Sequence, residues 1–63
     1  MITQTEIICL AISALDNDIE HWRVKCEKGG TEGQQIFEQM TADMQSKRRI
    51  LCELYFIQTG KTY

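Results

Sequence analysis

No proline occurs anywhere in the 63 residues, so the commonest interruption of an α-helix is missing. Glycine is scarce as well: Gly29, Gly30 and Gly33 cluster in mid-chain, and Gly60 stands near the end. No Lys or Arg precedes Arg23, which is not the basic start of a secretory signal. The longest apolar run, Ile7 to Ile12, is far short of the roughly 20 residues that cross a bilayer. The cysteines are odd in number, at positions 9, 26 and 52, with no CxxC pair. That spacing argues against a disulfide framework and against a zinc site. A net charge of −2 gives no general pull toward nucleic acid or an acidic membrane. An all-α cytoplasmic protein with no membrane span is the expectation.

Apolar residues make up 43% and charged residues 25%, the balance of a folded domain and not of a disordered chain. The length is the difficulty. A chain this short buries only about 60% of its unfolded surface. Such chains commonly add disulfides, a metal or a partner subunit.

Local signals predict two helices. Thr3-Gln4-Thr5-Glu6 fits a capping box, with Ile2 and Ile7 at the hydrophobic-staple positions. No breaker follows until Gly29-Gly30, and Lys25 and Lys28 stand in the last turn, where the helix dipole favours cations. The first helix is expected over about 4–28 and the turn at 29–31. Thr31-Glu32-Gly33-Gln34 repeats the capping pattern, with Gly33 weakening the first turn by up to ~1 kcal/mol. The second helix is expected over about 32–59, closed by Gly60 as the residue after its end. A link this short makes the helices antiparallel neighbours, so the whole chain reads as one antiparallel two-helix hairpin.

The apolar spacing proposes a seam. Ile8, Ile12, Leu15, Ile19, Trp22 and Cys26 follow steps of 4, 3, 4, 3 and 4. Phe37, Met40, Met44, Lys47, Leu51 and Leu54 follow 3, 4, 3, 4 and 3. Both are heptad a/d series. Trp22 with Phe37, Ile19 with Met40, Leu15 with Met44 and Ile8 with Leu51 all have positions adding to 59, as a chain folding at Gly29-Gly30 requires. Lys47 opposite Ile12 is the exception, and its stem can cover apolar surface while the amine reaches water.

This seam leaves apolar residues over. Ile7, Ala11 and Ala14 lie beside it on the first helix, and Ile36, Ile50 and Ile57 beside it on the second. In heptad terms they share one flank. The other flank is more polar, with Asp16, Arg23, Thr41 and Arg48, and with Cys9 and Tyr55 near the open end. Exposed aliphatics gathered on one side usually mark an interface. Two occupants remain open: a second copy, making a helical bundle, or a different helical protein.

Catalytic, cofactor-binding and metal-ligating residues are not expected. His21 and Cys26 stand five apart and share no helix face. Gly60-Lys61-Thr62 resembles the end of a phosphate loop but lacks its upstream glycine, strand and following helix. Asp16, Asp18 and Glu20 spread around a helix, and a narrow hairpin offers no deep pocket. Lys47-Arg48-Arg49 is the one basic run. At about 100° per residue it fans around the helix and reads as a solvated, salt-bridging face. Phosphate contact is the alternative.

The stretch from Ala14-Leu15 to Lys28-Gly29-Gly30, followed by Thr31-Glu32-Gly33-Gln34-Gln35-Ile36-Phe37 and an apolar second helix, resembles the small helical-hairpin co-chaperones of type III secretion needle subunits. The resemblance covers most of the chain in pattern and rests on few specific identities. The Lys47-Arg48-Arg49 run and the three cysteines depart from it. It implies a cytoplasmic bacterial hairpin that joins a larger helical-repeat chaperone, the two together holding the needle subunit monomeric. The competing class is a homodimeric four-helix-bundle regulator. It would be either an RNA binder built like the Rop hairpins, using Lys47-Arg48-Arg49 on phosphates, or a phage or plasmid accessory protein that inhibits a host protein.

Overall fold

The computed structural model describes residues 1–63, and it is all-helical with no strand. Helix α1 spans Gln4–Cys26 and helix α2 spans Gly30–Thr59, joined by one 3₁₀ turn at Glu27–Gly29. At 1.5 Å per residue, an unbroken helix from Gln4 to Thr59 would be about 84 Å long. The molecule measures 42 × 20 × 16 Å, so the chain folds back at that turn. Side-chain hydrogen bonds link its two ends: Thr5 and Gln4 each meet Gln58, at 3.2 and 3.1 Å. Midway along, Asp16 meets Arg48.

Helix α1 begins where a side chain can take an orphan backbone donor. Thr3 is extended (φ −85°, ψ 165°), and its hydroxyl accepts the Glu6 N–H at 3.1 Å. Ile2 and Ile7 both stay more than half exposed, so the staple buries little.

The turn differs from its sequence expectation. Helix α1 stops at Cys26, two residues before the expected 28, and α2 is already under way at Gly30. Thr31 therefore lies inside the helix and caps nothing; the N-cap is Gly29, with no side-chain bond. Gly30 explains the early start. Its backbone (φ +60°, ψ −135°) is one that residues with a Cβ avoid, and it reverses the chain at a single position. Gly33 also has a different role from the weak spot expected of it. It is buried, and a Cβ there would stand 2.2 Å from the Cys26 carbonyl oxygen. Its missing side chain is what lets the first turn of α2 lie against the end of α1. At the far end, Gly60 is left-handed (φ 72°) and its N–H bonds the Phe56 carbonyl at 2.7 Å.

The seam is the main correction. On α1 the residues turned inward are Ile8, Ile12, Leu15, Ile19, Trp22 and Cys26, with Ile12 fully buried. On α2 they are Gly33, Phe37, Thr41, Met44, Arg48, Leu51 and Tyr55. Met40, Lys47 and Leu54, expected in the seam, are exposed, and Thr41, Arg48 and Tyr55 take their places. The reason is size and charge. The two buried small residues, Gly33 and Thr41, give α2 a face that approaches closely, and turning that face inward carries Met40 out. Lys47 in the seam would put an ammonium among aliphatics, whereas Arg48 has Asp16 across from it. The buried Thr41 hydroxyl is satisfied, donating to the Phe37 carbonyl at 2.7 Å and accepting from Gln45 at 2.8 Å. The register shifts with the rotation. The linked pairs Gln4–Gln58, Thr5–Gln58 and Asp16–Arg48 lie three to five residues further along α2 than positions adding to 59.

Candidate docking surface

The two flanks of this helix pair are built differently. One is bridged by the chain itself. Arg48 on α2 bonds both carboxylate oxygens of Asp16 on α1, at 2.5 and 3.5 Å, and its other arm reaches the Cys52 sulfur at 3.7 Å. The bond to Asp16 raises the Arg48 pKa further, so it is a permanent cation there. The C-terminal residues fold over the same side. Past Gly60 the Tyr63 ring stands edge-on to Tyr55, centroids 5.3 Å apart, and its hydroxyl meets the Ser13 hydroxyl at 3.4 Å.

The other flank is open. Between the helices lies a groove of about 490 Å³ lined by Ala11, Ala14, Leu15, Lys47, Ile50 and Leu51. Five of these six are apolar, and the Lys47 ammonium is drawn to Asp43 at 2.8 Å. The two alanines make the α1 wall low, so the groove is shallow on that side.

Three of the six candidate partner-binding residues, Ala11, Ala14 and Ile50, are thus brought together in one groove. Ile7 and Ile36 do not line it, and Ile57 lines a separate hollow of about 610 Å³ on the bridged flank, with Arg48, Cys52, Phe56 and Tyr63. All four isoleucines stand in water, with exposures from 46% to 75%. The surface also includes residues the heptad reading placed in the core. Ile36, Met40, Asp43, Lys47, Ile50, Leu54 and Ile57 follow steps of 4, 3, 4, 3, 4 and 3, and all are exposed. The signal for this stripe was present: it is a second heptad series interleaved with the seam.

The basic run does not act as one patch. Lys47 is paired with Asp43 and Arg48 with Asp16, leaving Arg49 exposed without a carboxylate. Elsewhere, Glu20 and Arg23 form an exposed pair one turn apart, at 2.5 and 2.8 Å. The hydrogen bond from Arg23 holds the Glu20 carboxyl below its usual pKa. Lys25 lies 5.1 Å from the centre of the Trp22 ring. Cys9, Cys26 and Cys52 are unpaired and half-buried. No group of three or more His, Cys, Asp or Glu side chains is placed to hold a metal ion, and no helix is long and apolar enough to cross a membrane. No family model, curated protein or solved structure matches the chain.

Proposed function

We propose that this chain is a non-enzymatic protein–protein interaction module: an antiparallel helical hairpin that docks a helix through the groove at Ala11, Ala14 and Ile50. The observation that carries the reading is the asymmetry of the two flanks. One is bridged by Asp16–Arg48 and Tyr55–Tyr63, with a hollow rimmed by charged Arg48, Arg49 and Glu53, while the other presents an apolar groove bordered by exposed aliphatics. A groove between two helices takes an amphipathic third helix, whose apolar side chains at i, i+3, i+4 and i+7 enter it.

The most concrete form of this role is the one its resemblance implies. The hairpin would be a co-chaperone that joins a larger helical-repeat chaperone in the cytoplasm and helps hold a secretion needle subunit monomeric. The regulator alternative, with Lys47-Arg48-Arg49 on RNA phosphates, has less support, because two of those cations are already engaged by carboxylates.

The test is affinity capture from the native host with the wild-type chain and with Ile50→Glu, followed by reconstitution with the purified partner. Ile50 is exposed, so the substitution leaves the helix pair intact, a point checked by circular dichroism. The reading expects a helical partner that the wild-type chain retains and the variant loses. Equal retention by both would refute it.

A further inference from the structure

From the surface left exposed and from the self-matching order of the α2 stripe, we infer that a second copy of this chain occupies the open flank. The copies would form a twofold dimer in which α2 packs antiparallel to α2 of its mate. This deepens the docking reading above and rests on it: the surface is the same, and the occupant is named.

A compact monomer of 7.3 kDa exposes about 4,200 Å². This chain exposes 4996 Å², an excess of about 800 Å². A standard-size interface takes about 800 Å² from each partner. The surplus is therefore what one such interface removes.

The order of the stripe supplies the symmetry. A twofold interface must be self-complementary, residue i facing j and j facing i. Read from its two ends, the stripe places Ile36 against Ile57 of the mate, Met40 against Leu54 of the mate and Asp43 against Ile50 of the mate, meeting at Lys47 in the centre. The two outer pairs at each end thus set apolar on apolar, while Asp43 falls beside Ile50. The two Lys47 ammoniums meet near the axis, each held by the Asp43 carboxylate of its own copy at 2.8 Å one turn away, so the centre is a neutral set. The low wall at Ala11 and Ala14 leaves room for the mate's helix beside Ile50. The product is a four-helix bundle whose inner stripe is the one the single chain leaves wet.

The experiment is sedimentation equilibrium on the full chain over a hundredfold concentration range, with two variants. The wild-type chain should reach twice its formula mass. Leu54→Glu should weaken association at least tenfold. Lys47→Cys, placed at the axis, should form a covalent dimer under mild oxidant much faster than the wild-type chain with its three half-buried thiols. A wild-type chain that stays monomeric throughout the range overturns the inference, as does a dimer whose Lys47→Cys form does not cross-link. A monomer that still captures a helical partner in an Ile50-dependent way sinks this inference alone. A dimer whose partner capture ignores Ile50→Glu sinks the docking reading of the preceding subsection and leaves the dimer standing.

Discussion

Replacing Gly33 with alanine sets two effects of opposite sign against each other. Helix propensity alone favours alanine by about 1 kcal/mol, since Gly33 lies within α2 and has a helical neighbour on each side. Against this, the new methyl would stand 2.2 Å from the Cys26 carbonyl oxygen and 3.3 Å from its carbon. These are backbone atoms at the end of α1, so no flexible side chain can move aside. Relief requires that α2 lift away from α1 at the turn. Overpacking of this kind costs roughly 1–3 kcal/mol, and a cost in the upper part of that range outweighs the propensity gain. A net loss of about 1–2 kcal/mol is expected, lowering Tm by roughly 4–8 °C per kcal/mol in a chain of this size. The internal control is Gly29→Ala. Position 29 has nothing within 4 Å of a new methyl, and its φ of −84° suits any residue. That variant should be neutral or more stable, by about 0.4–1 kcal/mol. Thermal melts followed at 222 nm, at one fixed protein concentration, compare the three proteins. If Gly33→Ala melts at or above the wild-type temperature while Gly29→Ala behaves as expected, the close approach at the turn is wrong.

Ile12 is the largest fully buried side chain, and Ile12→Ala should cost about 2–5 kcal/mol, enough to unfold a chain this small in a urea titration. The Asp16–Arg48 pair is partly exposed, at 44% and 39%. A double-mutant cycle with Asp16→Asn and Arg48→Gln should therefore give a coupling of only about 0–1 kcal/mol, and a much larger value would mean the pair is shielded. The Glu20–Arg23 pair fixes a pH dependence. Because the folded-state pKa of Glu20 is lowered, its contribution is present above the ordinary glutamate value and is lost as pH falls through the folded one. The difference in Tm between wild type and Glu20→Gln should be small near neutral pH and vanish in acid; a difference that grows on acidification would contradict the assignment.

The parts of this fold that were legible in the sequence are the local ones. Thr3 at the start of α1 and Gly60 at the end of α2 act through bonds within one turn of chain, so their signals lie in neighbouring residues. The inward face of α1 was readable because Ile8, Ile12, Leu15 and Ile19 fill one heptad row without a gap, whereas the exposed row holding Ile7, Leu10 and Val24 is interrupted by Asn17 and His21. The face of α2 was not. It carries two interleaved heptad series, Phe37–Thr41–Met44–Arg48–Leu51–Tyr55 and Ile36–Met40–Asp43–Lys47–Ile50–Leu54–Ile57, and the expected seam took Phe37, Met44 and Leu51 from the first but Met40, Lys47 and Leu54 from the second. The choice between them depends on contacts with α1. Gly33 must pass Cys26, and Arg48 must find Asp16, neither of which a pattern along one helix can express. The same limit hid the role of Gly33, since propensity judges a residue by its own helix and its function here is toward another. The open flank was read from the positions beside the seam. The rotation of α2 widened it by adding Met40 and Leu54, so the exposed apolar surface is larger than the pattern implied.

The central claim is that the flank at Ala11, Ala14 and Ile50 is where this chain is joined by another helix. Photo-activatable cross-linking tests it most directly, with the reactive side chain placed in turn at Ala14, in the groove, and at Glu53, beside the hollow at the C-terminal end. The account predicts strong cross-links from position 14, to a second copy or to a helical partner, and little from position 53. Equal yields from both positions, or a yield confined to position 53, would contradict it.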